Sequence, residues 1–338
     1  MSRILFICRM PEYSTSNTYT YGITGLFNSA SFVAQALADQ HECKVVKVED
    51  ENSIDKEMFE YKPDIVILEA VWVTPKKLKE LMKFDRYKHI KWLVRVHSKP
   101  AFLANEGIAL QRLIEYAQIP QMIISGNNHE FTQMMLAVGA PQVYLPNIYP
   151  IEFTNTTPAY DKPYVDIGCF GAIRPMKNHL NQALAAIRFS DMVNRPIRFH
   201  VNATRAEQGG ENVLRNLRAL FAYTQHELVE HPWYSHTEFL NVIQQMDVGM
   251  QVSMSESFNI VSADFVSRNV PIVTSSEVEF VFSTYHSNPS SIVSIANTLK
   301  FAFLQRVFYT CTVNQWLLNF HNNKATRIWT NFLGSLNG

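Results

Sequence analysis

The chain is expected to be an α/β protein of two doubly wound domains, each a mostly parallel sheet with helices on both faces. Three observations predict this. Its 338 residues exceed one ordinary core, since single domains usually run roughly 100 to 200 residues. Short apolar runs alternate with longer stretches of helical periodicity, and parallel strands require such crossover connections. One segment, residues 147–163, interrupts the alternation.

In the first half, residues 4–8, 44–48, 64–68, 92–96, 122–125 and 143–145 read as buried strands, because continuous short apolar runs suit a sheet covered on both faces. Residues 29–40 carry Phe32, Val33, Ala36 and Leu37 at helical spacing, and Pro75 opens a helix through Leu78, Leu81 and Met82. Pro150, Pro158 and Pro163 then break the pattern. Two domains follow, 1–155 and 156–312. In the second, residues 166–170, 197–202, 226–231, 248–252 and 271–274 read as strands, with helices over 179–189 and 211–223. A final segment, about 313–338, spaces Trp316, Leu317, Phe320, Ile328, Trp329 and Phe332 as a helix does, and is expected to pack back near the N-terminal domain.

An apolar fraction of 47% against 18% charged describes a globular chain with ample core. No run reaches the roughly 18 apolar residues of a spanning helix, and the N-terminal run is too short for a signal-peptide core, so the chain reads as soluble. Cys8, Cys43, Cys169 and Cys311 show no C-x-x-C spacing, which indicates neither a zinc site nor a disulfide framework and fits the cytoplasm. Thirty Lys and Arg balance thirty Asp and Glu. That argues against nucleic-acid binding by the whole surface and leaves a local basic face open.

Neither half shows G-x-G-x-x-G after its first strand, which disfavours a nicotinamide dehydrogenase. Ligands of such sheets sit at the carboxyl ends of the strands, so the expected site is a cleft between the domains. The strongest local signal is Ser253-Met254-Ser255-Glu256-Ser257-Phe258-Asn259-Ile260-Val261-Ser262-Ala263-Asp264, a strand end followed by a Ser-rich turn and a helix start. On one helix, Glu256 and Asp264 would lie on nearly the same side, about 12 Å apart by helical rise. The amides of Phe258, Asn259 and Ile260 would offer a diphosphate a helix N-terminus. A plain helix cap, with Glu256 in the first turn and Asp264 solvated, fits the same residues.

The stretch 255–264, with Asn269-Val270-Pro271-Ile272-Val273 after it, resembles the E-x7-E signature and following strand of retaining GT-B glycosyltransferases such as those of glycosyltransferase family 4. Gly171-Ala172-Ile173-Arg174-Pro175-Met176-Lys177-Asn178 is similar to that family's G-R-L-x-x-x-K-N loop. Lys177 matches directly; Ala172 stands at the family arginine, and Arg174 either supplies that guanidinium or merely lies nearby. Leu145-Pro146-Asn147-Ile148-Tyr149 resembles the segment that closes the N-terminal domain, Gly25 the second glycine of a phosphate-approaching loop, and His97 the histidine near the reacting sugar.

The resemblance implies a GT-B fold, two Rossmann-like domains facing a central cleft, and transfer of a sugar from a nucleotide-sugar donor, UDP- or GDP-linked, with retention at the anomeric carbon. It implies catalytic roles for His97, Glu256, Lys177 and Arg174, with Glu256 on sugar hydroxyls. Donor contacts fall to Gly25, Asn178, Ser257, Phe258, Asn259, Ile260, Asp264 on the ribose, and Trp233 on the base, although Trp233 fits a core position equally. No protein nucleophile, tightly bound cofactor or catalytic metal is expected.

For the acceptor, Lys76, Lys77, Lys79, Lys83, Arg86, Lys88, Lys91, Arg95 and Lys99 face only Glu80 and Asp85 locally. A solvated helix face is one reading. A polyanionic acceptor touching Lys76, Lys77, Lys79, Arg95 and Lys99 is the other, with DNA favoured over an anionic membrane or a glycan. Compact GT-B enzymes of bacteriophages, which decorate modified bases in their own DNA, supply the precedent. A glycan or lipid acceptor, a non-catalytic nucleotide-binding GT-B protein marked by Ala172 and Thr24, and a nucleotide-sugar epimerase are the alternatives.

Overall fold

The computed structural model describes residues 1–9, 25–152, 162–306 and 312–336. The chain divides into two compact units, one of Met1–Pro150 with Asn322–Gly338, the other of Ile151–His321.

In the first unit, β1 (Arg3–Arg9), β2 (Glu42–Val48), β3 (Ile65–Glu69), β4 (Lys91–Val96), β5 (Met122–Gly126) and β6 (Val143–Tyr144) form one sheet in the order β2-β1-β3-β4-β5-β6, every pairing parallel. Successive side chains of a strand point to opposite faces, so β1 divides its apolar residues between two cores. Leu5 and Ile7 join Val66, Leu68, Trp92 and Val94 on one face. Ile4, Phe6 and Cys8 join Ile65, Ile67 and Leu93 on the other.

The connecting helices are α1 (Gly25–Leu37), α2 (Ile54–Tyr61), α3 (Pro75–Met82), α4 (Pro100–Leu103), α5 (Ala109–Ala117) and α6 (His129–Ala137). α3 starts where the sequence places it. Thr74 accepts a hydrogen bond from the Lys77 amide and Pro75 occupies the first turn, a position that has no helical partner for an N–H to lose. α1 begins four residues before the expected 29, at Gly25.

The second unit's sheet holds β7 (Val165–Gly168), β8 (Ile197–Asn202), β9 (Glu227–His231), β10 (Val248–Gln251) and β11 (Ile272–Thr274) in the order β11-β10-β7-β8-β9, again all parallel. Its helices are α7 (His179–Val193), α8 (Gly210–Ala222), α9 (His236–Ile243), α10 (Ile260–Ser267) and α11 (Ile292–Gln305). Gly168 and Gly249 face each other on adjacent strands. A Cβ on either would come within 2.7 Å of the Phe265 ring, so these two glycines let α10 settle directly onto the sheet.

The last helix, α12 (Thr312–Leu336), covers nearly the whole of the expected segment. Its residues from Asn322 onward count with the first unit. There Ala325, Trp329 and Leu333, spaced by four, enter the core that holds Ile4 and Phe6. The Trp329 indole N–H donates to the Pro146 carbonyl at 2.8 Å, and Asn322 exchanges two hydrogen bonds with the Tyr149 backbone. No described helix is long and apolar enough to cross a membrane.

Candidate functional site

The second unit gathers most of the expected donor residues at the carboxyl edge of its sheet. The loop after β7 and the loop after β10 leave neighbouring strands and are tied by a main-chain hydrogen bond from the Met254 amide to the Met176 carbonyl, 2.9 Å. Beside that tie, the Lys177 ammonium is paired with the Glu256 carboxylate. The two side chains are 18% and 14% exposed, which leaves them accessible while shielding the pair from bulk solvent.

The geometry of the 256–264 stretch differs from the expectation of two carboxylates on one helix. α10 starts only at Ile260, and Glu256 belongs to the turn before it. The physical reason is Asn259, whose φ of 62° lies outside helical space and breaks the register. Its side chain caps the helix, accepting from the Ser262 amide at 2.8 Å. It also donates to Gln251 at 2.9 Å and to Glu256 at 3.1 Å. Asn259 therefore shapes the site. Phe258 is buried against Phe280 and His321, Ser257 is half-buried beside it, and Ile260 opens the helix.

Asn178 plays a similar shaping part. It adopts φ 61° between a short turn, Pro175–Lys177, and α7. Its amide donates to the carbonyls of Val252 and Pro289 at 3.1 and 2.8 Å, joining the β7 and β10 loops a second time. Asp264 is buried rather than solvated. It accepts from His236 Nε2 at 2.8 Å, and His236 follows the Ser235 cap of α9 in a capping box with Glu238. That Ser-x-x-Glu spacing was the available signal for the helix start; nothing in the sequence pointed to the contact with Asp264.

Arg174 is not a solitary guanidinium. Its Nε donates to Glu207 Oε2 at 2.7 Å, and Arg205 pairs with the other oxygen of the same carboxylate. Burial, the largest influence on Glu207, raises its pKa; Arg174 and Arg205 outweigh it and the net shift is downward. The loop carrying Arg205 and Glu207 runs against the β7 loop through hydrogen bonds from the Ile173 amide to the Arg205 carbonyl and from the Glu207 amide to the Ile173 carbonyl, both 2.9 Å. Gly210 permits this approach, since a Cβ there would lie 2.0 Å from the Ile173 carbonyl oxygen. Trp233 is half-buried, with the Arg205 guanidinium 4.7 Å from its ring centroid.

Next to Trp233 in the chain runs a polar relay that no local motif announces. His200 Nε2 lies 3.0 Å from Asp166 Oδ1, His200 Nδ1 lies 2.8 Å from His231 Nε2, and His231 Nδ1 lies 3.0 Å from the Tyr234 hydroxyl. For Asp166, burial raises the pKa, but hydrogen bonds from His200, Arg198 and Lys162 drive it well below the usual carboxylate range. An ionised carboxylate only accepts, so His200 donates to Asp166 through Nε2.

In the first unit, His97 stands just past β4 with its side chain 16% exposed and its Nε2 2.5 Å from Glu69 Oε2. Burial and the nearby Arg95 lower the His97 pKa more than Glu69 raises it. Glu69 itself, whose pKa burial raises, ends below the ordinary value because Arg95 and His97 prevail. The short contact with the Glu69 carboxylate fixes the orientation of the imidazole ring. Gly25 opens α1, while Thr24 and Gly22 fall outside the described residues.

Two of the expected acceptor residues are buried and ion-paired. Arg95 is fully buried; it pairs with Glu69 at 3.3 Å and donates to Asn147 Oδ1 at 2.5 Å, which ties the 145–149 segment to β4. Lys99 is 9% exposed and paired with Glu130 at 2.8 Å. Of the remaining basic residues, Lys77 pairs with Glu80, Arg86 with Asp55 and Lys88 with Asp85. Lys76, Lys79, Lys83 and Lys91 are exposed and have no ion pair among the described residues.

No family model matches the chain, and no curated protein matches it in sequence. Solved structures do match in fold. Sucrose-phosphate synthase from Thermosynechococcus elongatus superposes with a TM-score of 0.68 at 12% identity, covering 99% of both chains. HepE from Anabaena, in complex with UDP and glucose, gives 0.67 at 11% over the whole of both chains. A UDP-forming α,α-trehalose-phosphate synthase from Burkholderia xenovorans gives 0.63 at 14%, covering 85% of this chain and 78% of that one. The fold is GT-B. Within that GT-B frame, the joined loops after β7 and β10 carry Lys177, Glu256 and Arg174, and no group of three or more His, Cys, Asp or Glu among the described residues has the spacing to hold a metal ion.

Proposed function

We propose that this chain is a glycosyltransferase that moves a sugar from a UDP- or GDP-linked donor to an acceptor hydroxyl with retention at the anomeric carbon. The observation that carries the reading is the meeting of Lys177 and Glu256 on two tied loops of a GT-B frame. A cation and a carboxylate side by side suit the two halves of a nucleotide sugar. Lys177, with Arg174, faces the diphosphate; Glu256 accepts from sugar hydroxyls. Charge-assisted hydrogen bonds of this kind contribute about 1.5 to 3 kcal/mol each, and they matter most where the leaving phosphate gains charge. The first amides of α10, Ile260 and Val261, precede the two that Asn259 takes and add the positive end of a helix.

In this reading the bond between the anomeric carbon and the β-phosphate oxygen breaks as the bond to the acceptor oxygen forms on the same face. The acceptor's proton passes to the departing phosphate oxygen, so no protein nucleophile is required. Asp264, held by His236, takes the ribose, and Trp233 the base. Lys177 and Arg174 supply the positive charge a metal would otherwise bring. UDP is the first choice of nucleotide, because HepE was solved with UDP and the Burkholderia enzyme is named for releasing it.

The exposed Lys76, Lys79 and Lys83, without ion pairs among the described residues, support a polyanionic acceptor, with DNA ahead of a membrane or glycan, because such lysines neutralise phosphates. A base inside duplex DNA would have to be extruded first. Cys8, Cys43 and Cys169 are free thiols, in keeping with a cytoplasmic enzyme.

A thermal-shift screen with UDP, GDP, ADP and their common sugar conjugates, with and without magnesium, tests the donor assignment, since a ligand of the folded state raises apparent stability. A shift with one nucleoside diphosphate, indifferent to magnesium, supports the proposal; no shift with any of them overturns it. The anomeric proton signal of the product reads retention against inversion.

A further inference from the structure

We infer that Arg205, on the loop between β8 and α8, is a second donor-binding guanidinium that couples a nucleotide's diphosphate to its base. This rests on the glycosyltransferase reading above.

Charge is the first observation. Glu207 receives Arg174 on one carboxylate oxygen and Arg205 on the other, so one carboxylate is shared between two guanidinium groups. The three side chains are only 22%, 17% and 29% exposed. Arg205 therefore has only half a carboxylate to balance a charge kept partly out of water, and an anion on its open side would complete it.

Donor capacity is the second. Arg205 spends its Nε on Glu207 and sets its guanidinium carbon over the Trp233 ring, 4.7 Å from the centroid. Its two Nη groups, with four N–H donors, have no hydrogen-bond partner among the described residues. A guanidinium held at Nε and over a ring, with its Nη groups unspent, is preorganised for a bidentate anion such as phosphate.

Placement is the third. The backbone pairing of Arg205 and Glu207 with Ile173 sets Arg205 beside the segment that leads to Lys177. Its contact with Trp233 reaches the other way, to the loop after β9. One side chain thus spans from the phosphate-facing cations to the aromatic ring, and a base stacked on the opposite face of that ring would feel any displacement of the guanidinium.

The test is calorimetric titration of the full-length protein with UDP, UMP and uridine, with GDP in parallel, comparing the parent with Arg205→Gln, Arg205→Lys, Trp233→Ala and the Arg205→Gln/Trp233→Ala double variant. Arg205→Gln is expected to weaken diphosphate binding about tenfold or more, and to shrink the preference for UDP over UMP. Arg205→Lys keeps the charge and should rescue only part of the loss. The double variant should lose less than the two single losses combined. Unchanged affinity in both Arg205 variants, or strictly additive losses, overturns the inference. A parent protein that binds no nucleoside diphosphate overturns the enzyme reading instead. Thermal melts that match the parent separate loss of binding from loss of folding, and Arg205→Lys keeps the test valid if the Gln variant is unstable.

Discussion

Lys177 and Glu256 pair across 79 positions of sequence, at the point where the backbone of Met254 hydrogen-bonds that of Met176. The pair is partly shielded, so each charge relies on the other. Removing one leaves its partner undercompensated, whereas removing both leaves a smaller electrostatic defect.

Lys177→Ala and Glu256→Ala are therefore each expected to cut sugar transfer at least a hundredfold, because under the proposed function each group also faces the donor. In unfolding experiments the double variant should be less destabilised than the sum of the singles, with a coupling of about 0.5 to 3 kcal/mol. Near-normal transfer in both single variants would show that the donor lies elsewhere; additive unfolding energies would show that the pair does not form in solution.

How much of this could be read from sequence depends on the range of the interaction. β1, β3 and β4 announce themselves as short apolar runs because a parallel strand is buried on both faces, and α3 is signalled by Thr74 and Pro75. The 171–178 and 253–264 segments were legible as local motifs. Their mutual contact was not, since nothing in either segment encodes which loop will face it. The same holds for Glu69, which looks like the polar end of a strand and is in fact the buried partner of Arg95 and His97. Arg95 was counted with a basic stretch because charge in sequence carries no burial. The helix register between Glu256 and Asp264 failed for a local reason, the positive φ of Asn259, which asparagine tolerates better than most residues.

Gly210→Ala tests whether the Arg174 and Arg205 loops must be in contact. The added methyl would stand 2.0 Å from the Ile173 carbonyl oxygen, and a main-chain atom cannot rotate aside as a side chain can. Separation of the two loops should cost about 1 to 3 kcal/mol, as overpacking usually does, and should weaken nucleoside diphosphate binding as well. A variant with parental stability and parental UDP affinity would mean that the loops tolerate parting and that their zipped arrangement is not needed.

Acid should unfold the protein earlier than its carboxylates alone would dictate. Burial, and then the adjoining His200, push the His231 pKa down to about 4; burial, and then Lys177, push His179 down to about 3. In the unfolded chain both titrate near 6.5. Between those values the unfolded state binds protons that the folded state refuses, so the stabilisation is complete above about pH 6.5 and is lost as the pH falls toward 4 and then 3. Melting temperatures measured from about pH 8 to pH 4 should decline below roughly 6.5, and His231→Gln should flatten the decline relative to its own value at the alkaline end. A level profile through this window would show that His231 is not held neutral.

Charge on the first unit divides into two kinds that mutation should separate. Arg95 has no exposure and balances a buried Glu69, so Arg95→Ala should cost about 3 to 5 kcal/mol of stability by stranding that carboxylate. Lys76, Lys79 and Lys83 face solvent, and changing all three to Gln should leave the melting temperature nearly unchanged. The triple variant should bind DNA more weakly, with a shallower dependence of log affinity on log salt, by about 0.9 for each phosphate that is no longer neutralised, while hydrolysis of the donor by water is unaffected. Titrations at several salt concentrations decide the matter: an unchanged slope would remove these lysines from the acceptor face, and an affinity for DNA that is absent in the parent would remove DNA as the acceptor.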